Sequence, residues 1–122
     1  MANQVRLDSA GFIRQVCVGD QDVASISQLI KQTMVVIREL QADHPGVQLN
    51  FLVDMSRMGS QNLSARQAGG RALKSLPYNK IAIFGLNTFM RHVANLVITA
   101  SNKQSRVKQF KDEASAVAWL TK

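Results

Sequence analysis

One cysteine, Cys17, stands in 122 residues. A single thiol cannot close an internal disulfide, so nothing in the chain argues for an oxidising compartment. No apolar run approaches the ~20 residues of a membrane-spanning helix. Met1 to Asp8 lacks the basic start and apolar core of a signal peptide, so the expected location is cytoplasmic. The two histidines, His44 and His92, lie far apart without a ligand-spaced partner, whereas a zinc site needs three or four convergent ligands. There is no Ser-His-Asp constellation, and no pair of acids is placed for acid/base work. The sequence therefore predicts no catalytic residue, no metal, no cofactor and no enzyme. Low-complexity tracts, repeats and linkers are missing too, and 122 residues make about one domain.

Acids are missing from one long stretch. Six of the eight acids fall before Met55, among only four bases, but from Met55 to Lys111 there are ten bases and none of the acids. Asp112 and Glu113 end the run. This asymmetry predicts a positive face suited to an acidic protein partner or an anionic ligand; a solvated surface that keeps the chain soluble accounts for it equally well. Nucleic acid is the weaker expectation, since the basic half has few aromatics and no recognised binding motif.

What is present is a regular alternation of strand and helix patterns. Gln4–Asp8 and Phe12–Val18 are short β-branched runs around Ser9-Ala10-Gly11, which predicts a hairpin. Asp20 then suits a helix N-cap, with Asp22 near the positive end of the dipole. Val23, Ile26, Ile30, Thr33, Ile37 and Leu40 follow at helical spacing up to His44-Pro45-Gly46. Residues 48–55 read as a strand buried on both faces, and Met55 to Leu63 as a loop. Ser64 suits the cap of a second helix to about Leu76. Ala65, Ala68, Ala72, Leu73 and Leu76 are its inward side, and Arg66, Arg71 and Lys74 its outward side. Gly69-Gly70 inside it weakens the helix by about 2 kcal/mol relative to two alanines, unless the pair permits close packing. Lys80–Gly85 reads as another buried strand. Asn87 or Thr88 caps a third helix to about Ser101, with Met90, Val93, Ala94 and Val97 inward; Phe89, Leu96 and Ile98 widen its apolar surface. Val107–Phe110 is a short last strand, and Asp112 opens a terminal helix carrying Ala116, Trp119 and Leu120. The order is ββαβαβαβα: a single α/β domain with an N-terminal hairpin and a mainly parallel central sheet covered by helices.

Three segments carry a family likeness. They are Phe51-Leu52-Val53-Asp54-Met55-Ser56, a strand ending in an Asp-X-Ser turn; Lys80-Ile81-Ala82-Ile83-Phe84-Gly85, a strand running into a capped helix; and the ending from Val107 through Asp112-Glu113-Ala114 to Trp119-Leu120. With the matching element order, the chain resembles the STAS/SpoIIAA-like domains, a bacterial regulatory and ligand-binding class. The resemblance implies a STAS or CRAL-TRIO-like sandwich that binds regulatory proteins, nucleotides or lipids and is not an enzyme. In the sigma-factor branch, a serine at the start of the helix after the third strand is phosphorylated by a partner kinase, within an Asp-Ser-Ser-Gly-like motif. This chain departs from it with Gly59-Ser60-Gln61-Asn62-Leu63-Ser64.

The candidate residues follow. Ser60 and Ser64 are candidate phosphoacceptors, Ser64 being equally an N-cap. Asp54 and Ser56 stand at a loop mouth, where an Asp also simply bonds the following turn. A lone glycine before the helix at Thr88 does not make a phosphate loop. Cys17 reads as a small buried hydrophobe. Arg66, Arg71, Lys74 and Arg91, with Phe89 and Leu96 as an apolar centre, form the expected partner-binding face on the second and third helices. A protein-interaction module and possible homodimer is the leading expectation. The alternative is a small-molecule carrier with a lipid or nucleotide in a pocket near the third helix.

Overall fold

The hairpin forms where the alternation predicts it. In the computed structural model, which describes residues 2–122, β1 (Gln4–Leu7) and β2 (Ile13–Gln21) pair antiparallel. Gly11 closes the turn at φ +94°, a backbone region that suits glycine, and the Asp8 carboxylate accepts the Ala10 amide at 3.0 Å. Behind it come α1 (Val23–Asp43), β3 (Asn50–Gln61), α2 (Leu63–Ser75), β4 (Lys80–Phe84), α3 (Thr88–Ala100), β5 (Val107–Phe110) and α4 (Glu113–Leu120). The fold is a single α/β domain in the predicted order.

The five strands lie in sequential order, β1-β2-β3-β4-β5, and every pair after the first is parallel. Each parallel step is a crossover through one helix. Crossovers of one hand between neighbouring strands place their helices on one face of the sheet. Side-chain alternation divides the core accordingly. Phe51, Val53, Ile81 and Ile83 face Ile37 and Leu40 of α1 and Ile98 of α3. Phe12, Leu52, Ala82 and Phe84 face Ala116 and Leu120 of α4 on the opposite side. Both faces of β3 and β4 are covered, which is why these strands are near-continuous apolar runs.

Several boundaries differ from the sequence expectation. The segment from Met55 to Gln61, expected as a loop, continues β3. Val16 and Val18 of β2 pair with Asp54 and Arg57, and Gly19 and Gln21 with Met58 and Gln61. Three-residue steps on β3 thus match two-residue steps on β2 twice, so β3 carries two bulges, and they erase the alternation that marks a strand. The N-cap of α1 is Asp22, whose carboxylate accepts the Ser25 amide at 2.8 Å, not Asp20. Asn62, not Ser64, caps α2 through the Ala65 amide at 2.8 Å. Val23 is consequently exposed at the start of α1, and Leu29 takes an inward place beside Ile26, Thr33, Ile37 and Leu40. Ile98 is buried rather than part of a surface patch, and Trp119 is only partly buried while Leu120 is buried.

Candidate functional site

Beneath α2 and α3, on the three-helix face of the sheet, lies a cavity of about 150 Å³. Small residues leave the room. Gly69 and Ala72 line it from α2, and Ala94 from α3. A Cβ on Gly69 would meet nothing within 4 Å, whereas one on Gly70 would touch Val97 Cγ1 at 3.5 Å. The two helices therefore meet at Gly70 and Val97, with free space at the neighbouring glycine. The floor is Val53, Ile81 and Ile83, the wall from α1 includes Ile26 and Leu29, and Met90, Val93 and Val97 close the α3 side. The inward stripe foreseen for the third helix is thus the cavity's own lining.

Its few polar groups are nearly all accounted for. Gln15 donates to the Thr33 hydroxyl at 2.8 Å, and that hydroxyl donates to the Leu29 carbonyl at 2.7 Å. Burial, together with the Asp54 charge, pushes the Cys17 thiol up to about 11, so it stays neutral at pH 7. Arg66 is the single charged residue of the lining. Its Nε is buried without a hydrogen-bond partner among the described residues. A buried donor left unmet costs about 1–3 kcal/mol.

The expected partner-binding face is accordingly divided. Arg66, read as outward, is partly buried at the cavity. Arg71 and Lys74 are exposed on α2. Phe89 and Leu96, 66% and 72% exposed, are seven residues apart and share one side of α3. Arg91 borders a second, polar depression between α3 and β5 with Asn95, Lys108 and Gln109. There Gln109 Nε2 donates to the Arg91 carbonyl and to Asn95 Oδ1.

The loop-mouth residues are bound up locally. Asp54 Oδ1 accepts the amide of Ser56 at 2.9 Å and its hydroxyl at 2.6 Å. Both residues lie inside β3, at its first bulge. Ser60 lies at the second bulge, its amide 2.8 Å from Asp20 Oδ1. That hydrogen bond, with a further one from the Ser60 side chain, holds the Asp20 carboxyl below the usual carboxylate range. A phosphoryl group on Ser60 would stand beside this carboxylate and be repelled by it. Ser64 is exposed in the first turn of α2. Among the described residues, no group of three or more His, Cys, Asp or Glu is placed to hold a metal ion, and no helix is long and apolar enough to cross a membrane.

The sequence offers a pocket near the third helix only as an alternative and does not show its lining, which comes from every helix on that face and from three strands. The one local signal is the density of small residues in α2: Ala65, Ala68 and Ala72 read as its inward side, and Gly69-Gly70 as a weakness or a point of close packing, not as space.

An uncharacterised protein of the DUF3478 family from Shewanella loihica PV-4, solved with a SpoIIAA-like fold, superposes on this chain with a TM-score of 0.69 at 16% identity. The match covers 98% of this chain and 92% of that one. It shows the fold, which is SpoIIAA-like as the sequence resemblance implies. No curated protein matches this sequence. The family model described as a domain of unknown function, DUF7793, matches residues 24–122.

Proposed function

This chain belongs to the DUF7793 family, and for it we propose a binding role without chemistry of its own: the domain holds a small, mainly apolar molecule in the cavity beneath α2 and α3. The observation that carries this reading is the cavity itself, about 150 Å³ and walled by aliphatic side chains on the sheet and three helices. Cores are otherwise packed with few voids larger than a water molecule. An enclosed apolar cavity of about this volume admits benzene.

The test is methyl NMR with benzene as the probe. Addition of millimolar benzene is expected to shift the methyl signals of Ile83, Val93 and Val97 and to leave those of Val23 and Leu7 in place. An Ala94→Phe variant, which fills the space, is expected to lose the response while keeping the folded spectrum. Uniform or absent shifts in the wild-type protein would end this reading.

A second reading rests on a separate observation, the exposed pair Phe89 and Leu96 on α3. It is an apolar centre for docking an acidic protein, with Arg71, Lys74 and Arg91 exposed on the same two helices. Loss of partner binding in Phe89→Ala at every salt concentration, and in Arg71→Glu with Lys74→Glu only at low salt, is the expected pattern. Unchanged binding of an acidic partner in all of these variants would remove it.

A further inference from the structure

We propose that the molecule held in the cavity is a small monocarboxylate, an aryl or short-chain acid, and that Arg66 receives its carboxylate. The inference rests on the cavity reading and adds the charge and size of the ligand.

The charge argument begins with what surrounds Arg66. It is the one charged residue of the lining, and its Nε is buried with no partner among the described residues. Among the described residues it makes no ion pair: the salt bridges there belong to Arg14. No Asp or Glu lies anywhere between Met55 and Lys111, so neither α2 nor α3 offers a compensating anion. The neighbouring side chains with acceptor atoms, Gln15 and Gln61, are neutral. A guanidinium presents a planar fork that matches a carboxylate with two parallel hydrogen bonds. An anionic ligand head supplies the acceptor that the chain itself does not place there.

Position supports the same assignment. Arg66 is in the second turn of α2, which begins directly after β3 ends at Gln61, and Leu86 and Met90 of the lining follow the end of β4. The charged end of the cavity therefore lies toward the carboxyl ends of the parallel strands. The amino-terminal turns of α2 and α3 point there, and their dipoles favour an anion.

Size limits the remainder. An enclosed cavity of about this volume takes one benzene ring, whereas pockets for drug-sized ligands measure roughly 300–1,000 Å³. A nucleotide's several phosphate charges exceed one guanidinium. A ring or short chain with a single carboxylate fits both volume and charge.

The experiment compares benzoate with toluene, which have the same ring and differ in the charged group, on the full chain by calorimetry and methyl NMR. Benzoate is expected to bind the wild-type protein about tenfold or more tightly than toluene, the gain of one charge-assisted contact. Arg66→Gln should abolish that preference and leave toluene binding unchanged. Arg66→Lys, which keeps the charge without the fork, should retain part of it and serves if Arg66→Gln does not fold. Toluene binding as tight as benzoate in the wild-type protein overturns the anionic ligand but leaves the cavity reading intact. Benzoate preference that survives in Arg66→Gln or is undiminished in Arg66→Lys overturns the role of Arg66. Failure of both probes to bind the wild-type protein overturns both readings.

Discussion

A methyl group on Gly85 would stand 2.7 Å from the Cα of Ser56. The two strands β3 and β4 thus come together at a point where no side chain fits. Gly85 also has φ +94°, a region that costs an L-residue about 1–2 kcal/mol. The bend it makes leads the chain from Phe84 of the sheet to Leu86 of the cavity lining. Gly85→Ala combines backbone strain with a clash against main chain, and a loss on the order of 3 kcal/mol is expected. Urea denaturation checks this, and a midpoint unchanged from wild type would contradict the geometry.

The cap of α2 gives a second prediction. Asn62 accepts the Ala65 amide, while Ser64 is already inside the helix. Asn62→Ala should cost about 1 kcal/mol, in line with other N-cap losses. Ser64→Ala should be neutral or slightly stabilising, since alanine is the better helix former. Equal effects in thermal melts of the two variants would restore Ser64 as the cap.

The terminal helix separates two neighbouring residues. Leu120 is buried among Phe12, Leu52 and Phe84. Trp119 lies on the outer side, 5.6 Å from the Phe110 ring, with the Lys80 and Lys108 ammonium groups over its ring. Leu120→Ala is expected to cost about 2–5 kcal/mol, the range for a leucine removed from a core. Trp119→Ala should cost less than that despite the larger side chain, because solvent already reaches it. Equilibrium unfolding of the two variants decides the order.

Alkaline pH should weaken the fold through Cys17. Its thiol is raised by burial from an ordinary value of 9.0 to about 11. Above pH 9 the unfolded chain loses this proton first and so binds fewer protons than the folded one, and stability falls as pH rises. The fall runs from about pH 9 to 11 and amounts to at most about 1.4 kcal/mol per pH unit from this one group. In Cys17→Ala that part of the alkaline slope should vanish. An unchanged slope between the two proteins at pH 9–11 would show that the thiol titrates normally.

The sequence by itself determined the element order, the hairpin and the parallel character of the sheet. Each of these follows from local periodicity: β-branched runs around Gly11, helical spacing from Ile26 to Leu40, and the doubly buried strands Phe51–Val53 and Ile81–Phe84. It also marked the basic stretch and the inward stripe of α3, because charge and helical phase are local properties. Only the tertiary structure decided the rest. Asp20 is no cap because Ser60, forty residues later, brings its amide to the carboxylate at a bulge. The segment after Asp54 is a strand only because β2 lies beside it and tolerates two irregular steps. Arg66 turns inward because Gly69, Ala72 and Ala94 leave space between helices that meet at Gly70 and Val97. Contacts of that kind join residues far apart in the chain, and no window of sequence contains both partners.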